Sequence, residues 1–131
     1  MGLSKSYDEL QNKIRELKFP KIEVWENKYQ DKEYKITSET KEFTCVCPKT
    51  GLPDFACIII EYSPNKYCIE LKSFKGYLLA YRDVGIFHEH VVNKILEDFV
   101  RAVKPKWAKV KGAFNSRGGI TTQVETEYNE N

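Results

Sequence analysis

The sequence predicts an α+β fold in which an antiparallel sheet carries its helices on one face. Three stretches support that expectation. "FACIIIEY" (55–62) is a dense β-branched run between turn signals, as in a strand. "GITTQVETEY" (119–128) alternates, with Ile120, Thr122, Val124, Thr126 and Tyr128 on one face and Gln123, Glu125 and Glu127 on the other. Between them, Val91, Val92, Ile95, Leu96, Phe99, Val100 and Val103 recur at helical spacing and predict a helix over 88–104. Strands before and after a helical middle suit an antiparallel sheet, whereas a parallel one needs regular strand–helix alternation.

The elements follow in chain order. Ser6 and Glu9 form a capping box, and Tyr7, Leu10, Ile14 and Leu17 follow at helical spacing, so a leading helix is expected until Phe19-Pro20 ends it. "YKITSETKEFTCV" (34–46) reads as extended. "PKTG" (48–51) is turn chemistry: Pro48 sets one corner and Gly51 accepts a positive φ. The strand over 55–62, the turn "SPNK" (63–66) and "YCIELK" (67–72) predict a hairpin. Residues 73–83 predict a short helix weakened by Gly76. Pro105 stops the helix over 88–104. Strands over 106–115 and 119–128 close the fold, with the tight turn "SRGG" (116–119) between them.

The 131 residues are read as one domain, residues 1–131, with 1–20 as a helical N-terminal extension. Lys and Arg exceed Asp and Glu by only 21 to 19, too little to draw the protein to nucleic acid or a membrane surface. No apolar run approaches the ~20 residues of a membrane span, and no signal-peptide pattern opens the chain. Cys45, Cys47, Cys57 and Cys68 are irregularly spaced, which fits reduced thiols in a cytoplasmic protein better than a disulfide framework. An antiparallel sheet has edges that must be covered or paired, so an oligomer joining sheets edge to edge is expected.

Four groups of residues could do chemistry. Cys47 stands at a strand end before Pro48, where a side chain can face a pocket, and the turn can return Asp54 to its side. A thiolate beside an acid could attack an electrophilic carbon and protonate what develops there. The alternative is a small buried Cys47 and an Asp54 that caps its turn. Zinc held by Cys45, Cys47, His88 and His90 is disfavoured, because histidines two apart at a helix start diverge by about 200°, and no metal is expected. Glu89 in "HEH" (88–90) suits the first turn of a helix electrostatically, and pointed into a pocket it could instead accept from the N–H edge of a guanine-like base. Lys72 and Lys75 in "ELKSFKGY" (70–77), with Arg117 in its glycine turn, could hold phosphates or simply be solvated. No GxGxxG or Walker motif is present, which excludes a Rossmann or P-loop nucleotide site.

Together, "CPKTGLPDFA", "ELKSFKGY", "FHE" and "FNSRGG" stand in the order and spacing of the QueF family of nitrile reductases, and from about Tyr34 to Tyr128 the chain resembles its short, single-domain form. The resemblance implies the tunnelling fold (T-fold), with subunits joined into barrel rings, two rings stacked as a decamer of two pentamers, and active sites between subunits. It implies reduction of 7-cyano-7-deazaguanine to 7-aminomethyl-7-deazaguanine with two NADPH, on the path to the tRNA base queuosine. In that reaction Cys47 is the nucleophile that forms a thioimide and Asp54 the proton donor. Ile69, Glu70, Leu71, His88 and Glu89 would contact substrate, and Lys72, Lys75, Arg117 and Gly118 the cofactor. One departure is Gly76, which stands where the family usually has a larger apolar residue.

Three rivals share the fold or the thiol. An amidinotransferase would deliver ammonia to the same nitrile, but it lacks the "ELKSFKGY" signature. A zinc hydrolase of the GTP cyclohydrolase type is opposed by the divergent histidines. A non-enzymatic ring protein binding pterins or purines would leave Cys47 inert.

Overall fold

The computed structural model describes residues 10–130, so the capping box at Ser6 and Glu9 lies outside the described residues. From Leu10 onward the expected leading helix is reduced to one helical residue, a turn and a short 3₁₀ helix, Ile14–Glu16. Six strands follow: β1 (Val24–Glu26), β2 (Ile36–Val46), β3 (Pro53–Ser63), β4 (Tyr67–Ile69), β5 (Trp107–Arg117) and β6 (Ile120–Asn129). Helix α1 (Leu71–Leu79) runs into a 3₁₀ turn, Ala80–Asp83, and α2 spans His88–Val103.

β2, β3, β5 and β6 pair in that order as an antiparallel sheet. Its register aligns Ile58 with Gly112 and Gly112 with Val124, so one face is continuous across the three strands. That face buries Ala56, Ile58, Ile60, Tyr62, Ala108, Val110 and Phe114 under the apolar stripe of α2. The contact is close at Gly112, where an added Cβ would stand 2.7 Å from Val92 Cγ2. Ring contacts from Phe99 to Tyr62 (4.8 Å) and to Phe74 of α1 (5.8 Å) put both helices on the same face. The architecture is thus the α+β arrangement the sequence predicts, with α2 ending as expected: Lys104 turns left-handed (φ 51°) before Pro105.

The expected 55–62/67–72 hairpin is not formed. β4 pairs with β1, a three-residue strand the periodicity did not single out, with Trp25 opposite Cys68. Both edges of β3 are already taken by eleven-residue partners, so β4 has no ladder to join there. It lies instead over the core face, where Ile69 N–H donates to the Tyr62 hydroxyl at 3.0 Å. β4 also stops at Ile69 because Glu70 caps α1, its carboxylate accepting from Lys72 N (2.9 Å) and Ser73 N (2.7 Å). The helix therefore starts two residues earlier than periodicity suggests. It passes Gly76 unbroken, and an added Cβ there would meet no atom within 4 Å.

α2 also buries Lys94, outside its apolar stripe. Its ammonium lies 3.2 Å from Asp98, which accepts from the Tyr77 hydroxyl at 2.6 Å and from Arg101 at 2.8 Å. No helix among the described residues is long and apolar enough to cross a membrane.

Candidate active site

The turn between β2 and β3 shapes one corner of the sheet. Cys47 N–H donates to Leu52 O at 2.8 Å, and Gly51 N–H returns to Cys47 O at 2.9 Å. Gly51 closes this loop at φ 74°, a conformation glycine adopts without strain. The chain re-enters the sheet at Pro53, which places Asp54 opposite Cys45 on the core face. Cys47, one residue past the strand end, is left half-buried at the mouth of the turn.

A second chain segment closes on this corner. Val46 N–H donates to Val84 O at 2.9 Å and Ile86 N–H to Val46 O at 3.0 Å, a short parallel bridge centred on Gly85. Because α2 begins two residues after Ile86, the bridge brings His88 to the end of the β2–β3 turn. The His88 ring stacks on Phe114 of β5, with centroids 3.8 Å apart and planes 10° from parallel. That packing leaves Nε2 3.3 Å from Asp54 Oδ2. From the last hairpin, Arg117 Nη1 reaches Asp54 Oδ1 at 2.5 Å and Pro53 O at 3.2 Å. Asp54, 6% exposed, is held between an imidazole and a guanidinium.

The two neighbouring thiols differ in kind. The Thr50 hydroxyl donates to the Cys47 sulfur and lowers its pKa; burial opposes this, the Thr50 and Lys49 backbone amides lower it further, and the Asp54 charge raises it. The net is a pKa below that of an ordinary cysteine, which favours the nucleophilic thiolate. Cys45 is fully buried, and burial first, then the charges of Asp54 and Cys47, push its pKa up to about 12. Cys45 is thus a packing residue.

The remaining candidates lie elsewhere in the chain. Ile69 is buried in the core, and Glu70 is engaged as the α1 cap, a role that lowers its pKa through the Ser73 and Lys72 amides. Leu71 and Lys75 line a groove of about 780 Å³ between β2 and α1, whose other walls include Thr40, Phe43 and Phe74. Lys72 is exposed one turn back. Ile69 packs at the level of Tyr62, eight residues up β3 from Asp54, roughly 26 Å along the strand. Arg117 and Gly118, grouped with the two lysines by the resemblance, stand instead at the Asp54 corner. Glu89 is exposed on the first turn of α2, next to His88.

His88 and His90 point apart, to Asp54 and to Gln11 respectively. Among the described residues no group of three or more His, Cys, Asp and Glu side chains could hold a metal ion. The sequence reading missed two members of the site. Thr50 was visible only as turn chemistry, although a hydroxyl three residues after a strand-end cysteine could have been suspected. Phe114 carries no local signal, because its role comes from cross-strand register.

Comparisons with known proteins agree with this picture. The family described as QueF-like protein matches residues 53–131, a stretch that holds Asp54, His88, Glu89 and Arg117 and begins after Cys47. The NADPH-dependent 7-cyano-7-deazaguanine reductase of Elusimicrobium minutum is 55% identical over 111 residues, covering 85% of this chain and 83% of that protein. The reductase of the same name from Chloroherpeton thalassium is 54% identical over 107 residues, covering 82% and 92% respectively. Alignments this long must span position 47. Among solved structures, the archaeosine synthase QueF-Like in its apo form superposes with a TM-score of 0.64 at 25% identity, covering 72% of this chain and 91% of that one. With the family match running over more than half of its length, on the α+β fold the resemblance implied, the chain belongs to the QueF-like family.

Proposed function

We propose that this chain is an NADPH-dependent reductase of 7-cyano-7-deazaguanine, acting in the cytoplasm on a small molecule and forming the aminomethyl base used for queuosine. The observation that carries this reading is the corner where a Cys47 thiol of lowered pKa stands beside a buried Asp54 tied to Arg117 and His88. The Cys47 thiolate adds to the nitrile carbon, forming a C–S bond as one C≡N π bond breaks. The Asp54 carboxylate takes the thiol's proton as the thiolate forms and passes it to the developing nitrogen, leaving a thioimide. His88, fixed by its stack on Phe114, holds the acid in place. Glu89 accepts from the base's N–H edge. Covalent attachment splits a four-electron reduction into two steps and retains the reactive imine.

NADPH supplies a hydride for each step when bound. The residues fit it by charge: Lys72 and Lys75 are exposed cations three apart on α1, suited to phosphate oxygens.

Ile69 lies roughly 26 Å from the Asp54 corner along the strand of one chain, and a second copy would bring such a segment to that corner. β2 and β6 are the outer strands of the sheet, each with one edge unpaired among the described residues, and joining them between copies would form a ring. We take the assembly to be a decamer of two stacked pentamers, with no nucleic-acid or membrane partner.

The decisive experiment is the intact mass of the protein after exposure to 7-cyano-7-deazaguanine without NADPH. An increase equal to the mass of the nitrile is expected, absent in Cys47→Ala, with two NADPH consumed per nitrile once the cofactor is added. Reduction by Cys47→Ala would overturn the reading. The likeness to the archaeosine synthase favours one alternative, ammonia transfer to the same thioimide. It predicts the adduct but no NADPH oxidation.

A further inference from the structure

The start of α2 has no capping side chain of its own, because its N-cap position is Phe87. Helix starts normally obtain such a partner from Ser, Thr, Asp or Asn. The first two residues of this helix are His88 and Glu89, and what orients them matters directly to the site.

One side of the entry loop is held by the Val46 bridge. The other is held by a residue 76 positions earlier, Gln11, which is 9% exposed. The carboxamide oxygen of Gln11 accepts from Phe87 N–H at 3.3 Å and from His90 Nδ1–H at 2.7 Å. Its amide nitrogen donates to Gly85 O at 3.3 Å and to Leu10 O at 2.8 Å. A single planar group thus bonds residues 85, 87 and 90 around the two candidate substrate readers. The segment that carries it is anchored independently. Arg15 pairs with Glu97 of α2, and Phe19 stacks on Tyr81 at 4.3 Å.

We infer that Gln11 is a positioning residue for substrate recognition, acting through the α2 entry loop on Glu89, while His88 keeps its own anchors in Phe114 and Asp54. The N-terminal extension is thereby part of the machinery that selects the base. Gln11 has no contact with Cys47, Asp54 or the candidate cofactor lysines, so its loss should loosen substrate binding without slowing the covalent and hydride steps. The inference rests on the proposed reductase reading, and its test separates the two.

The test compares Gln11→Leu, which keeps volume and removes all four hydrogen bonds, with Gln11→Glu, which keeps the acceptor for Phe87 and His90. Both are made in the full chain and assayed for NADPH oxidation. Gln11→Leu should raise KM for 7-cyano-7-deazaguanine about tenfold, with kcat and KM for NADPH within about twofold of the parent. Gln11→Glu should recover KM to within about threefold. An unchanged KM in Gln11→Leu, or a Glu variant no better than Leu, overturns the inference. So does a Gln11→Leu protein that loses kcat together with its folded yield, which would make Gln11 a structural pin only. A parent that binds the base without oxidising NADPH overturns the reductase reading, and the Gln11 comparison is then made on Kd by calorimetry. A parent that binds nothing overturns both.

Discussion

Arg117, carried on the last hairpin, bonds Asp54 at 2.5 Å across 63 residues of sequence. The carboxylate is nearly enclosed, so removing its cation leaves a buried charge short of a partner. Arg117→Met should therefore cost about 1–3 kcal/mol of stability in urea unfolding. In the Asp54→Asn background the same substitution should cost much less, because no charge is then stranded. Equal costs in both backgrounds would show that the pair is only a surface contact.

Thr50 gives the largest lowering contribution to the Cys47 pKa. Alkylation requires thiolate, so its rate rises with pH through that pKa. Thr50→Val removes the hydroxyl and should move the midpoint of iodoacetamide labelling to higher pH, with slower labelling at neutral pH. Cys45, held at about 12 by burial, should stay unlabelled in the folded protein. A midpoint unmoved by Thr50→Val would assign the lowered pKa to the backbone amides alone.

Glu89 is exposed on the first turn of α2, and the proposed reading makes it the reader of the base. Glu89→Leu should weaken binding of 7-cyano-7-deazaguanine by about 2–3 kcal/mol, the scale of a lost charged hydrogen-bond partner. Calorimetry with the Cys47→Ala protein measures this without covalent capture. An unchanged affinity removes Glu89 from the site.

Gly112 tests the packing that sets where α2 lies. A methyl group there meets Val92 Cγ2 at 2.7 Å, Phe114 Cε1 at 3.0 Å and Ile58 Cδ1 at 3.4 Å. Gly112→Ala should destabilise by about 1–3 kcal/mol, as overpacking does. It should also raise KM for substrate, because Phe114 carries the His88 ring. Gly76→Leu, whose Cβ meets open space in the single chain, should stabilise α1 by about 0.5–1 kcal/mol in urea unfolding, because glycine weakens a helix interior.

Much of this was legible in the residues. The alternation of β6 follows its pattern from Thr122 onward, with Thr122, Val124, Thr126 and Tyr128 half-buried between exposed neighbours, whereas Ile120, expected on that face, is 70% exposed beside the turn. The stripe of α2 is buried along Val91, Val92, Ile95, Leu96, Phe99 and Val103. These signals are local: a period of two or 3.6 requires only that one face be covered. Cys47 and Asp54 were legible as a pair for the same reason, since a single turn joins them.

Pairings between distant segments were not legible. β4 joined β1 because both edges of β3 were occupied, a fact that belongs to the assembled sheet. Arg117 meets Asp54 because the register of β5 on β3 carries the last hairpin there. Gln11 reached the entry of α2 only because Arg15 and Phe19 hold its segment against the helices. The sequence by itself determined the four strands of the main sheet, the main helix, and that a thiol and an acid share a turn, because each of these is decided within a dozen or so residues. The tertiary structure alone decided the acid's partners, the direction of His88 and what steadies its helix, because those contacts close over 34 to 79 residues and no local pattern encodes where such ends meet.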